Sequence, residues 1–298
     1  MMAYLWILFT IVASGGQTLR NALQRDLIAE VGTVGATHVR FLYGLPFGCL
    51  FLLIVSTASG TAVPVPTGGF WLWTLGGALA QILATGLMLQ AMKSKSFLVT
   101  IAYTKTEPVQ VAIFGILFLS EVPSPMLAGA IVVATAGVMI MSWPKATADG
   151  TARDWTPAIL GTVSGGLFGL AAVCFKGGIQ SLGLPNFLVA ASATLAAGLG
   201  LQTLILTGYL IATDRAALIK LFRAWRPSVM AGFLGAFASQ CWFAAFALEP
   251  VAHVRTLGLV EILFSLAVSH RLMSQITSPR EGFGIALLVV GVLVVLNA

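Results

Sequence analysis

Two glutamates, Glu107 and Glu261, stand in long apolar stretches of the sequence, each with a cation shortly before it: Lys105 ahead of Glu107 and Arg255 ahead of Glu261. A charge at the centre of a bilayer costs about 3 kcal/mol on insertion scales, so such groups are expected to face a cavity or a partner. Three chemistries are open to them. They can bind a charged small molecule, pass a proton on a carboxyl that desolvation keeps protonated, or form static ion pairs that lock helices together. On an ideal helix Lys105 and Glu107 point about 200° apart, and Arg255 and Glu261 about 240° apart. Neither pair can close within its own helix, so the partners must come from other helices. Arg40 is a further interior cation, either one of those partners or a side chain snorkelling to the membrane edge. Counted together, Arg40, Lys105 and Arg255 outnumber the two glutamates by one, which favours a substrate carrying a carboxylate or another acidic group.

Around these charges the expected binding set is Arg40, Tyr103, Lys105, Glu107, Trp242, Arg255 and Glu261, with Glu107 and Glu261 as the candidates for proton coupling. Tyr43, Gln81 and Gln240 also fall inside apolar stretches, where packing is the ordinary role of such residues. Pro108 follows Glu107 directly and should kink the helix there, freeing carbonyls near Tyr103 and Thr104 for substrate or water. No metal or cofactor is expected. Cys49, Cys174 and Cys241 lack metal-site spacing, His38, His253 and His270 are isolated, and no paired acids mark a Mg²⁺ site at a membrane edge.

The elements that must position these residues follow from composition. Of 298 residues 9% are charged and 58% hydrophobic, against roughly 25% charged in soluble domains. The solvent for most of the chain is lipid. Charge-free and apolar runs read as ten helical spans, near residues 3–20, 34–56, 69–92, 97–119, 124–143, 157–178, 186–211, 228–248, 251–272 and 281–297. The N-terminus lacks a basic leader and is read as a retained first helix. Glu107 and Glu261 each lie ten residues into a span, roughly 15 Å along it, near the midplane where transporters with inverted repeats place substrate and ion sites.

Sliding the sequence by 154 positions superposes Ser120, Glu121, Ser124 and Pro125 on Ser274, Gln275, Ser278 and Pro279, and pairs Trp71 with Trp225, Glu107 with Glu261 and Gly137 with Gly291. Five spans per half is odd, so the second half must enter the membrane from the opposite side. The expected fold is therefore an all-α integral membrane protein of ten transmembrane helices in two inverted five-helix repeats, residues 1–144 and 157–298, joined by a linker over 145–156. The loops after odd-numbered spans hold twelve basic residues, from Arg20 to Arg280, and the others hold none. By the positive-inside rule both termini face the periplasm or exterior. The net charge of +6 thus orients the chain and implies no nucleic acid. The basic segment 214–226 is expected to lie on anionic lipid headgroups. Lys176 is expected to snorkel.

The ten spans, His38-Val39-Arg40-Phe41-Leu42 opening the second, Glu107-Pro108 in the fourth, Ser120-Glu121 at its end, and Gly129 and Gly137 in the fifth together resemble the EamA-type transporters of the drug/metabolite transporter superfamily. The resemblance implies alternating-access transport of a small metabolite across the cytoplasmic (inner) membrane. It further implies an amino acid or carboxylate-bearing compound as substrate, moved outward rather than inward, with vitamin or multidrug permeases as alternatives on the same fold. A polytopic membrane enzyme is the rival from another class. Uniport and proton antiport are both open, as is a monomer or a weak homodimer.

Overall fold

The computed structural model describes residues 4–63, 65–94, 97–142, 155–273 and 279–297. Among them there is helix and no strand, as a chain in hydrocarbon requires, because every backbone group must be satisfied within its own segment. The helices are α1 (Leu5–Leu42), α2 (Leu45–Ser59), α3 (Gly68–Ser94), α4 (Phe97–Thr104), α5 (Glu107–Leu119), α6 (Pro125–Ser142) and α7 (Thr156–Ser181). They continue as α8 (Phe187–Thr213), α9 (Arg215–Arg223), α10 (Trp225–Leu248), α11 (Val251–Leu257), α12 (Glu261–Met273) and α13 (Pro279–Val295). Among the described residues six stretches are long and apolar enough to cross a membrane, including Leu5–Ser59, Gly68–Lys93 and Val251–Val268, and Pro125–Ile140 and Gly282–Val295 are shorter apolar helices.

α1 contains a break at Gly32, whose φ of 72° and ψ of 175° are non-helical. That backbone region favours glycine, which has no Cβ to clash. The first helix therefore runs to Val31 rather than ending near residue 20. This corrects the placement of Arg20: it lies well inside α1, 1% exposed, and does not belong with the loop cations. Its neighbours explain how it can be there. Gln17, Arg20, Asn21 and Gln24 recur at helical spacing and form a polar stripe turned inward.

Two helices are interrupted at related positions. α4 ends at Thr104 and α5 starts at Glu107, with Pro108 in its first turn; α11 ends at Leu257, a 3-10 turn follows over Gly258–Val260, and α12 starts at Glu261. α4, α5 and α6 begin 154 residues before α11, α12 and α13 respectively. Pro108 accounts for the first break. At the second, Gly258 makes room for an indole, since a Cβ there would lie 2.7 Å from the Trp242 ring.

α1 packs along α10, α3 along α7 and α6 along α13. The broken helices cross between them, α11 against α5 and α12 against α4. Gly161, Gly165 and Gly169 of α7 form the seat of the first break: a Cβ on Gly161 would meet Tyr103 Cβ at 2.5 Å, one on Gly165 the Thr104 carbonyl at 2.5 Å, and one on Gly169 Glu107 Cγ at 3.5 Å. Of the carbonyls expected to be freed there, that of Tyr103 accepts from the Thr106 amide and hydroxyl at 3.4 and 3.1 Å, and that of Thr104 packs against Gly165. The expected linker lies outside the described residues except for Trp155 and Thr156, which lead into α7.

Candidate functional site

At each break the first half-helix ends near a cation and the second begins with a glutamate. Lys105 follows the end of α4, Arg255 occupies the last turn of α11, and Glu107 and Glu261 are the first residues of α5 and α12. Helix C-termini favour cations and N-termini favour anions, so the interruptions lower the cost of holding four charges in an apolar bundle. The pairs then close across the breaks. Lys105 Nζ lies 2.6 Å from Glu261 Oε2, and Arg255 Nε lies 3.0 Å from Glu107 Oε1. Each half thus supplies the cation for the other half's glutamate, and neither pair forms within one helix.

The surroundings of the pairs differ. Glu261 Oε2 also accepts from Gln17 Nε2 at 2.6 Å, and Oε1 from Asn21 Nδ2 at 3.2 Å, so α1 holds this carboxylate with directional bonds. Glu107 and Arg255 touch as ions without hydrogen-bond alignment. The Arg255 guanidinium is covered instead by Trp242 and Phe246, whose ring centroids lie 4.5 and 5.1 Å away. Trp242 links the two pairs, because its Nε1 donates to Gln17 Oε1 at 3.0 Å.

Two more cations lie beside these four charges. Arg20 donates from Nε and Nη2 to Asn21 Oδ1 at 3.2 and 2.6 Å, and through Asn21 it is tied to Glu261. Arg40 donates from Nη1 to Thr85 Oγ1 at 3.3 Å and from Nη2 to Ser239 Oγ at 3.2 Å. Its partners are hydroxyls, so it pairs with neither glutamate and, at 2% exposure, it does not snorkel. Tyr103 is buried at the first break against Gly161, so its backbone and Cβ serve the seat on α7. Of the seven expected site residues the structure gathers Lys105, Glu107, Trp242, Arg255 and Glu261 into one network and sets Arg40 and Tyr103 at its margins.

Gln17, Arg20 and Asn21 were missed by reading spans as charge-free runs, which stop before Arg20. The signal was present as the i, i+3, i+4 polar stripe of a longer helix.

A second, smaller network closes one end of the molecule. Lys176 Nζ lies 2.6 Å from Glu121 Oε1 and donates to the Glu249 carbonyl at 2.8 Å, and the Val251 amide donates to Glu121 Oε2 at 3.2 Å. Lys176 is thus buried and paired rather than snorkelling. Partial burial raises the Glu249 carboxyl above its ordinary value, against the pull of Lys176. Ser120, whose φ of 56° ends α5 in the left-handed region, aims Glu121 at this cluster.

These are the features of a multi-pass membrane protein with a charged interior. Residues 1–143, just under half of the chain, match the sequence model of the EamA-like transporter family, which lies within the drug/metabolite transporter superfamily. No curated protein matches. A solved structure described only as the crystal structure of a protein shares the fold, with a TM-score of 0.69 at 14% identity over 98% of this chain and 94% of that one.

Proposed function

We propose that the chain is a secondary transporter working by alternating access, in which two inverted five-helix halves rock about the crossed ion pairs and move an acid-bearing small metabolite outward across the inner membrane. The ten spans come from dividing Leu5–Ser59 at Gly32, joining α4 to α5 and α11 to α12 across their breaks, and counting α6 and α13 as spans. Support for the inverted repeat lies in the shared 154-residue offset of α4, α5 and α6 with α11, α12 and α13. With Arg20 inside, eleven basic residues remain on the cytoplasmic side and both termini face outward. The helix α9 exposes Ile219 and Phe222, each followed directly by a basic residue, Lys220 and Arg223, as an element lying on anionic lipid does.

One observation carries the proposal. Each half holds its glutamate at the start of a broken helix's second segment, and the cation that neutralises it belongs to the other half. A substrate carboxylate can compete with Glu261 for Lys105, or with Glu107 for Arg255, and so uncouple one pair at a time. Protonation of a glutamate would do the same, which makes Glu261 and Glu107 the coupling candidates if transport draws on a proton gradient.

The substrate class is tested by thermal-shift screening of purified protein against amino acids, vitamins and organic acids, since a ligand stabilises in proportion to the logarithm of its concentration over Kd. Acids are expected among the hits, and stabilisation confined to neutral compounds would sink the assignment. Proteoliposomes assayed with and without a pH gradient, in wild type and Glu261→Gln, separate antiport from uniport. Equal rates in every arm would eliminate proton coupling.

A further inference from the structure

Once Lys105 has Glu261 and Arg255 has Glu107, the buried cluster still holds two cations with no carboxylate among the described residues. Arg20 and Arg40 are 1% and 2% exposed, and both are buried in an apolar bundle where a lone charge is costly. They lie against the same turn of α10: a Cβ placed on Gly235 would meet Arg40 Cγ at 3.0 Å and Arg20 Cδ at 3.3 Å. Arg20, Arg40 and Arg255 lie close enough to feel one another's charge. Each of the first two keeps an unused donor, Arg20 Nη1 and Arg40 Nε having no hydrogen-bond partner. The hydrogen bonds they do make go to neutral acceptors, Asn21, Thr85 and Ser239. Thr85 is itself oriented for this, since its hydroxyl donates to the Gln81 carbonyl at 2.8 Å and turns a lone pair toward Arg40.

Four buried cations against two buried carboxylates leave a surplus of two positive charges. We propose that Arg20 and Arg40 form an anion subsite beside the crossed pairs and that the transported compound is a dianion, a dicarboxylate or a phosphate monoester, whose two negative charges complete the cluster. This rests on the transport function proposed above and narrows its substrate class. Guanidinium groups suit either anion because their planar donors match the oxygens of carboxylate and phosphate alike.

The test is a thermal-shift titration of the purified full-length protein with two matched pairs of probes, succinate with its monomethyl ester and methyl phosphate with dimethyl phosphate, at about pH 7.5 where a phosphate monoester is mostly a dianion. We expect at least one dianion to bind about tenfold more tightly than its monoanionic mate, the equivalent of about 1.4 kcal/mol, and the better pair identifies carboxylate or phosphate. Arg20→Gln and Arg40→Gln should each bring that ratio toward one, and Arg20→Lys should restore part of it. Equal binding of mono- and dianions by wild type would overturn the dianion proposal while leaving an acid transporter in place. Binding of neutral compounds with none of the four probes would overturn both.

Discussion

Glu107 and Glu261 occupy equivalent places at the starts of α5 and α12, yet the ion pair of one is held by rings and that of the other by polar neighbours. Lys105–Glu261 is fastened to α1 through Gln17 and Asn21. Glu107–Arg255 lies under Trp242 and Phe246 with no aligned hydrogen bond between its members. Directional bonds fix a carboxylate in one position, whereas a cation over aromatic faces keeps much of its stabilisation when its acid partner is lost. Glutamates 154 residues apart thus make a rigid contact in one case and a looser one in the other, and under the proposed transport function the looser pair should separate first.

This contrast predicts an order of effects. Lys105→Met should cost the most, about 3–5 kcal/mol, because it leaves Glu261 as a buried carboxylate with neutral donors only; denaturation of purified protein in detergent measures it. Glu107→Gln should cost less, about 1–2 kcal/mol, since Arg255 retains both rings. If the two substitutions destabilise equally, the pairs do not differ as described. Trp242→Phe should cost about 1 kcal/mol by removing the indole bond to Gln17, and it should also reduce the non-additivity between Lys105→Met and Glu107→Gln, because Trp242 connects the two pairs. Smallest is Glu121→Gln in the end cluster, where the glutamate is partly exposed to solvent. A loss below about 1 kcal/mol is expected there, and a loss rivalling that of Lys105→Met would shift the main lock to that end.

Most of the charged network could be read from sequence because membrane interiors make charge conspicuous. Glu107, Glu261, Lys105 and Arg255 stood out as ionisable residues in apolar runs, and 100° per residue was enough to show that their partners lay on other helices. The first break was legible through Pro108. The second was not, since Gly258 differs from the many packing glycines only in facing the Trp242 ring, a tertiary fact. Arg20 was misplaced for a physical reason as well. The end of a charge-free run does not mark the end of a span, because a helix can carry an arginine inward when Gln17, Asn21 and Gln24 on the same face supply polar company. Lys176 was read as snorkelling because its distance from the helix end allowed it, and the acceptors that hold it, Glu121 and the Glu249 carbonyl, come from segments far away in sequence.

That the crossed pairs belong to the transport cycle, and do not merely brace the fold, is tested most directly by removing one pair whole. Lys105→Met combined with Glu261→Gln removes both members of the pair and strands neither as a new lone buried charge, so the double variant should fold with a stability within about 1–2 kcal/mol of wild type. Reconstituted in proteoliposomes at matched protein density and assayed with the acid that most stabilises the wild type, it should show no transport above empty vesicles. Transport at the wild-type rate by the folded double variant would contradict the account and make the pair a structural brace alone.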